Sequence, residues 1–305
     1  MQTNKLYYNL SEYFRQKYGS RLGKICIDGG FSCPNRDGRC GVGGCIYCGE
    51  RGAGEHIDAT GSIKEQVLSA LDSGRPDGRY IAYFQNFTNT YAQVGVLKER
   101  YDAALIDERI VALAIGTRPD CIDEEVCRLI ASYKKRCDVW VELGLQTAND
   151  KTAKIINRGY TLSCFENALK MLKKYAIPVV VHLIVGLPGE SLDDVKQTAD
   201  YISSLDIFGI KIHSIYVMKG TRLAKMYEAG EYEPPTLEEF VTGATYILTH
   251  INPETVVHRL TGDCPKDMLI APLWNSDKHA VIAKITEKME REGLRQGCFF
   301  TQKCK

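Results

Sequence analysis

Apolar runs alternate with amphipathic stretches along most of the chain, and this alternation predicts its secondary structure. Six apolar runs predict strands at residues 24–30, 80–85, 110–117, 139–146, 178–190 and 209–218. Several of them, such as "VWVELGLQ" (139–146), are continuously apolar, which is typical of strands covered on both faces. The stretches between them predict helices at residues 62–73, 94–105, 123–137, 164–176 and 192–205, after a helical stretch that opens the chain. This order predicts a parallel α/β barrel, complete or partial.

The pattern changes after residue 230. Pro234 and Pro235 interrupt it, and two further helical stretches follow at 236–251 and 279–294, with a short segment at 255–263 between them. We therefore expect a barrel domain at residues 1–230 and a C-terminal extension at residues 231–305 that packs on the barrel.

The composition is that of a soluble globular protein, since 44% of the 305 residues are hydrophobic and 25% are charged. A net charge of +1 gives no long-range attraction to nucleic acid or to an acidic membrane, although it says nothing about a local basic groove. No apolar run approaches the roughly 18 residues of a membrane span, and the N-terminal stretch lacks the apolar region of a signal peptide. These features predict a cytoplasmic protein with no membrane partner.

Four of the 12 cysteines lie in one stretch, "GFSCPNRDGRCGVGGCIYCGE", which we call the cysteine loop (residues 30–50). Its glycines and its proline exclude a helix or strand of any length. The loop follows the first predicted strand, so it belongs to the barrel face where reactive groups lie in such folds. Because the cysteine density of the whole chain is far below that of a disulfide scaffold, the cluster predicts a metal site.

Cys45 and Cys48 form a C-x2-C pair, and Cys26, Cys33 or Cys40 would supply a third ligand. A structural zinc site needs four ligands, but the sequence has no second C-x2-C pair and no closely spaced pair of histidines. Three clustered thiolates fit an iron–sulfur cluster with one open iron better. The alternatives are a zinc-stabilised barrel that acts as a binding or adaptor module, and a loop of free thiols.

The cysteine loop and the blocks that follow it resemble radical S-adenosylmethionine (radical SAM) enzymes. After "GGCIYC" come "YFQNFTNTYA", "IGTRPDC", "VELGLQTAND", "INRGYT", "HLIVGLPGE" and "HRLTGD", in that order. These blocks are similar to a branch that includes the catalytic subunit of Elongator and bacterial proteins of the YhcC type. The resemblance implies a partial (β/α)6 TIM-like barrel with a mainly helical C-terminal extension.

The same resemblance implies the cofactors and the reaction. Cys33, Cys45 and Cys48 would bind a [4Fe–4S] cluster whose open iron binds SAM. An electron from a flavodoxin- or ferredoxin-type reductant would then cleave SAM to a 5′-deoxyadenosyl radical that acts on an unidentified substrate. tRNA is a candidate substrate because the Elongator-like relatives act on tRNA, although this chain has no acetyltransferase segment.

The resemblance also implies a set of SAM contacts. They are Tyr47, Gly186, Leu187 and Pro188 for the adenine, Glu142 and Gln146 for the ribose and methionine, Arg158 for the carboxylate, Gln85, Asn86 and Thr88 for the amino group, and Arg118 for SAM or substrate. A glutamate inside an apolar strand is costly without a partner, which independently favours a ligand role for Glu142. Arg158 could instead be an exposed surface arginine, and Arg118 could form a salt bridge that stabilises its loop.

Several other groups have two interpretations each. His182 and His213 are core histidines or face a substrate, and His258 and Arg259 contact a substrate or an interface. Basic clusters at 134–136 and 170–174 are solvated faces or phosphate contacts. Cys264, Cys298 and Cys304 lack the close spacing expected of a second cluster.

Overall fold

Nine strands form two sheets in the computed structural model, which describes residues 5–52, 54–55, 57, 60–75 and 77–301. The strands are β1 Gly23–Ile27, β2 Tyr80–Phe84, β3 Ile110–Thr117, β4 Asp138–Gln146, β5 Val179–Val185, β6 Gly209–Ser214, β7 Val217–Met218, β8 Val256–Arg259 and β9 Leu269–Ala271. The main sheet has the order β1-β2-β3-β4-β5-β6-β8, and all its neighbouring strands are parallel. The predicted partial barrel is confirmed, with β1 and β8 at its two edges.

Helices connect these strands in the expected alternation. They are α1 Leu10–Tyr18, α2 Ile63–Asp72, α3 Val94–Ala104, α4 Glu124–Ser132, α5 Asp150–Ile155, α6 Leu162–Lys174, α7 Leu192–Ser203, α8 Arg222–Glu228, α9 Leu237–His250 and α10 Lys278–Arg291. Ser62 and Glu65 form a capping box at the start of α2, and Thr236 and Glu239 form another at the start of α9. None of the helices in the described ranges is long and apolar enough to cross a membrane.

The structure differs from the predicted elements in several places, and α5, α8 and β9 were not predicted. The helix predicted at 123–137 ends as an α-helix at Ser132 and continues as a 3₁₀ turn, Tyr133–Lys135. The segment predicted as one strand at 209–218 divides into β6 and β7, which belong to different sheets. The short segment at 255–263 supplies β8, so a strand from the predicted extension completes the main sheet beside β6.

The two faces of the main sheet carry different side chains. Outward residues such as Leu113, Ile115, Val141 and Leu143 are fully buried beneath the surrounding helices and form the large core. The inward face has a second core near the amino ends of the strands, built from Phe14, Ile81, Ala112, Trp140 and Val180. Because Phe14 belongs to α1, that helix closes the amino end of the barrel. The inward face therefore remains open to ligands at the carboxyl end.

Replacing Phe14 with alanine tests this closure. Phe14 is 4% exposed and its ring centroid lies 6.4 Å from that of Trp140. We expect Phe14→Ala to lower the free energy of unfolding in urea by about 3–5 kcal/mol, because it opens a cavity in the inner core. Arg15→Ala, on the exposed side of the same helix, is the control and should change it by less than about 0.5 kcal/mol. Equal losses in the two variants would refute the closing role of α1.

Candidate functional site

A cavity of about 230 Å³ lies at the carboxyl edge of the main sheet. Its walls come from the cysteine loop and from the ends of β2, β3, β4, β5, β6 and β8. All these strands are parallel, so their carboxyl ends and the loops that follow them meet at this one edge. The topology thus gathers side chains that are far apart in the sequence.

Cys33, Cys45 and Cys48 line this cavity, whereas Cys26 and Cys40 are not among its lining residues. Cys40 is exposed on the outer side of the loop. The loop is fixed to the barrel where the Ile46 amide donates to the Ile156 carbonyl over 3.1 Å. Within the described residues, no three His, Cys, Asp or Glu side chains lie close enough together to hold one metal ion.

Cys45 and Cys48 differ in acidity because they interact directly. The Cys48 side chain hydrogen-bonds to Cys45, and this bond lowers the pKa of Cys45 to about 6. The same bond, followed by burial, raises the pKa of Cys48 well above its usual value. Asn35 Nδ2 lies 3.7 Å from Cys45 Sγ and also favours the thiolate. The shared hydrogen bond therefore favours one thiolate within this pair, and thiolates are the form that binds metals.

Tyr47 also lines the cavity, and it packs against a small core that contains Leu187. Leu187 is 2% exposed and, like Gly186 and Pro188, is not among the lining residues. Gly186 has a φ of 93°, and a Cβ there would lie 2.5 Å from Pro235 Cγ, so close packing against the C-terminal part accounts for this glycine. Of the four predicted adenine contacts, the structure brings Tyr47 alone to the cavity.

Arg118 combines the two roles considered for it. Its guanidinium lines the cavity and also forms a two-bond salt bridge with Asp120, with distances of 2.9 Å and 2.7 Å. Its Nη1 donates to the Arg158 carbonyl over 2.9 Å, and its plane lies 4.7 Å from the ring centroid of Tyr160. Burial lowers the pKa of Arg118, but Asp120 outweighs it and keeps the guanidinium charged.

Arg158 is not among the residues that line the cavity, and its burial contradicts the interpretation as an exposed surface arginine. Its side chain is fully buried. The guanidinium donates to the carbonyls of Leu145 and Thr147 over 2.7 Å each, and to Asp150 over 3.0 Å. These bonds hold the turn between β4 and α5, which explains the burial: the charge is compensated by backbone dipoles and one carboxylate.

Gln146 ends β4 with a φ of 63°, at an irregularity in the pairing with β5. This unusual backbone turns its side chain into the cavity, where Oε1 lies 3.0 Å from the Tyr160 hydroxyl. Tyr160 also donates to the Gly144 carbonyl over 2.9 Å. Gln146 is therefore held at the cavity by a tyrosine that the sequence did not single out.

The segment after β2 divides into residues that reach the cavity and one that does not. Gln85 and Thr88 line it, and the Thr88 Oγ1 atom is buried without a hydrogen-bond partner in the described structure. Asn86 is fully buried and is not among the lining residues. Its Nδ2 donates instead to Asp28 Oδ2 over 2.9 Å, which ties the ends of β1 and β2 together.

Glu142 lines the cavity floor with both carboxylate oxygens already occupied. Oε1 accepts the Trp140 indole N–H over 3.2 Å. Oε2 accepts the Tyr83 hydroxyl over 2.7 Å, contacts His182 Nε2 at 2.9 Å and pairs with the Lys211 ammonium. The partners that a buried glutamate requires are therefore side chains of the protein. Its burial can be explained without a contact to a ligand.

The charges on this floor follow from burial and from these contacts. Burial acts to raise the pKa of Glu142, but Lys211 and His182 outweigh it and hold that pKa well below its usual value. Burial is also the largest effect on Lys211 and lowers its pKa to about 7 against the attraction of Glu142. Burial lowers the pKa of His182 and of His213 as well. Glu142 is the fixed anion of the floor, and the groups around it are weak bases.

The comparison with known families decides the identity of this site. Residues 36–202 match the Radical SAM superfamily, and residues 207–291 match the Radical_SAM C-terminal domain. The first match alone covers more than half of the chain. The chain belongs to the radical SAM superfamily.

Relatives of this radical SAM protein confirm the branch that the sequence predicted. It is 39% identical over 302 residues to the uncharacterized protein YtqA of Bacillus subtilis, covering 98% of this chain and 94% of YtqA. It is 36% identical over 296 residues to protein YhcC of Escherichia coli, covering 97% of this chain and 96% of YhcC. The tRNA uridine(34) acetyltransferase of Methanocaldococcus infernus is 29% identical over 265 residues, which span 83% of this chain and 48% of that enzyme.

A solved structure of archaeal Elp3 from Methanocaldococcus infernus has the same fold. Its TM-score is 0.68 at 20% identity, and the match covers 90% of this chain and 64% of that chain. The radical SAM protein thus shares the Elp3 fold over most of its own length.

The cavity of the radical SAM protein fits the family's cofactors chemically. Three cysteines face one space, and thiolates are the ligands of iron–sulfur clusters. The donor set is completed by Thr88 Oγ1, an unpartnered buried hydroxyl, and by the side chains of Gln146 and Arg118. These groups suit a small polar molecule that carries both charges and hydrogen-bonding groups.

Lys211 and Tyr83 are the main site residues that sequence reasoning missed. Both are inward residues of otherwise apolar strands, and both line the cavity. Lys211 stands in "GIKIHS", where a lysine inside an apolar run was a usable signal of a buried partner. His182 and His213 also line the cavity, whereas His258 lies outside it.

The two basic clusters lie at the opposite edge from the cavity. Lys134 and Arg136 precede β4, and Lys173 and Lys174 precede β5, so all four are near the amino ends of the strands. Each has a partner: a carbonyl for Lys134, and Asp102, Asp206 and Glu124 for the others. They are solvated faces of the barrel. The possible second cluster stays untested as a set, because Cys304 lies outside the described residues.

Removing Lys211 tests the role of the buried pair. We expect Lys211→Met to lower the free energy of unfolding by about 3–5 kcal/mol, because Glu142 is left buried without its cation. Adding Glu142→Gln should restore part of that loss. Lys24→Met is the matched control: this exposed lysine lies 5.1 Å from the Tyr83 ring, and its loss should cost less than about 1 kcal/mol. Additive effects in the Lys211/Glu142 double variant would contradict the pairing.

Proposed function

We propose that this radical SAM protein binds a [4Fe–4S] cluster through Cys33, Cys45 and Cys48 and uses it to cleave SAM. The observation that carries the proposal is that these three cysteines line one cavity in a chain of this family, while Cys26 and Cys40 do not. When bound, the cluster and SAM supply a 5′-deoxyadenosyl radical that abstracts hydrogen from a substrate.

The protein's own residues position the ligands and exclude water. Tyr47 provides a flat apolar wall between the cysteines and the small core behind it. Arg118, fixed by Asp120, keeps one cation at the thiol end of the cavity. Gln146 and Thr88 offer hydrogen-bonding groups to SAM, in place of the Arg158 and Asn86 contacts first predicted. Such fixed groups need no rearrangement when a ligand binds.

The electron would come from a small reductase partner of the flavodoxin or ferredoxin type. The outer side of the cysteine loop is accessible to it, since Val42 is 76% exposed and Cys40 is exposed. The cysteine ligands lie just inside this surface.

Cysteine variants test the cluster. Anaerobically reconstituted protein should contain about four irons and four sulfides per chain and absorb broadly in the visible range. Cys33→Ala, Cys45→Ala and Cys48→Ala should each reduce the iron content below about one per chain. Cys40→Ala is the matched control within the same loop and should keep the full content.

Activity is measured on the same samples. With a chemical reductant and SAM, the protein should form 5′-deoxyadenosine and methionine, and the three ligand variants should not. A colourless protein with tightly held zinc would instead support the zinc-stabilised binding module, and a Cys33→Ala protein with full iron would overturn the ligand assignment.

We further propose tRNA as the substrate. Support comes from the relative named tRNA uridine(34) acetyltransferase and from exposed basic residues at the cavity edge. Arg39 is exposed on the cysteine loop, and Arg222 at the start of α8 donates to the Gly44 carbonyl of that loop. Lys219, after β7, is exposed as well. Such residues can bind phosphates around the cavity mouth.

Charge reversal tests this surface. Arg39→Glu with Arg222→Glu should weaken tRNA binding and reduce the dependence of log Kd on log salt by about two phosphate contacts. Lys170→Glu with Lys174→Glu, at the opposite edge, makes the same charge change and should leave binding within about twofold. Equal effects of the two pairs, or identical tRNA nucleosides in cells with and without the gene, would reject tRNA as the substrate.

A further inference from the structure

Two cations face each other across neighbouring strands at the cavity floor. Lys211 of β6 and Arg259 of β8 are register partners, and both line the cavity. Like charges directly opposite each other destabilise a sheet. An arrangement of this kind requires negative charge nearby.

The acidic side chains near Lys211 and Arg259 already have other partners. Glu142 pairs with Lys211, but both of its oxygens are occupied by four donors in total. Asp263, the acid nearest Arg259, lies 3.6 Å from the guanidinium and also pairs with Lys278. The described residues offer Arg259 no closer salt bridge than this one, and its side chain is 27% exposed.

Polar groups of Lys211 and His213 at the cavity floor lack partners. Lys211 is 2% exposed and bonds to Glu142 and the Tyr83 hydroxyl, which leaves one ammonium proton for another acceptor. His213, two residues along β6, lines the cavity, and its buried Nε2 has no hydrogen-bond partner in the described structure. One Lys211 ammonium proton and the His213 Nε2 atom are therefore without a partner among the described residues.

We propose that Arg259, Lys211 and His213 form an anion-binding subsite for a phosphate or carboxylate group of the substrate, separate from the thiol end of the cavity. Arginine and lysine together favour such oxyanions, since a guanidinium binds two oxygens at once and an ammonium adds a point charge. The assignment of this anion to the substrate rests on the proposed function. The anion-binding subsite itself rests only on the arrangement of these three residues at the cavity floor.

The subsite predicts proton uptake on binding. Burial lowers the pKa of Lys211 to about 7, and an anion beside it would raise that pKa again. The charged and titratable groups that interact with it are Lys24 and Cys26 of β1, Tyr83 of β2, Glu142 of β4, His182 of β5, His213 of β6, and His258 and Arg259 of β8. Because the ammonium form binds the anion better, affinity should rise as pH falls, by about tenfold between pH 8 and pH 6 for one proton.

Calorimetric titration of the cluster-loaded protein, saturated with SAM, tests the subsite. Sulfate is the tetrahedral probe, because it does not titrate between pH 6 and 8, and acetate is the carboxylate probe. The probe with the lower Kd shows whether the subsite prefers a tetrahedral phosphate-like anion or a carboxylate. Arg259→Gln should weaken binding by about 10- to 100-fold, the loss expected for hydrogen bonds to a charged group.

Lys278→Gln is the matched control, because it removes a cation from the same acid, Asp263, outside the cavity lining. It should leave the Kd within about twofold, and Arg259→Lys should retain more affinity than Arg259→Gln. Absence of saturable binding, equal weakening in Lys278→Gln, or competition between sulfate and SAM would overturn the proposal. Sulfate is also titrated into iron-free protein, so a failure of cluster assembly is read separately from a failure of the anion subsite.

Discussion

A single buried carboxylate, that of Glu142, organises the interior of the barrel. An isolated charge at 2% exposure would be prohibitive, so side chains from β2, β5 and β6 must converge on it. Such a network fixes how far each strand is shifted against its neighbours. It also separates the aromatic core closed by α1 from the open cavity above. Stability and site geometry thus depend on the same ion pair, although a buried pair of this kind is weak evidence for stability by itself.

The fold followed from the sequence because buried parallel strands are continuous apolar runs, and this signal is local. The three cysteines that line the cavity could also be found from the sequence, since they lie within 16 residues of one loop. The contacts that sequence analysis missed depend on the folded structure and have no local sequence signal. Arg158 was assigned to a cofactor because its segment resembles the family's, and the sequence does not reveal its contacts with the carbonyls of the turn after β4. Lys211 was missed because its partner Glu142 is 69 residues away.

The C-terminal part is more than a cover for the barrel. β8 extends the main sheet beside β6, and the Tyr8 carbonyl accepts the Val257 amide on its other edge over 2.8 Å. The N-terminal segment and the C-terminal part therefore protect the sheet edge together. This position also brings Arg259 to the cavity, which a helical extension lying on the outside could not have done.

The two ends of the cavity carry different polar groups. Its thiol end has three cysteines and Arg118, whose charge Asp120 already compensates. Its other end has Lys211, Arg259 and His213, and the His213 Nε2 atom has no hydrogen-bond partner in the described structure. A ligand held over the cysteines would fill the first end and leave the second to whatever molecule lies next to it. Since the floor is closed beneath by Trp140 and Phe14, that molecule must enter through the same mouth, and the orientation of its charged group would be set by Lys211 of β6 and Arg259 of β8.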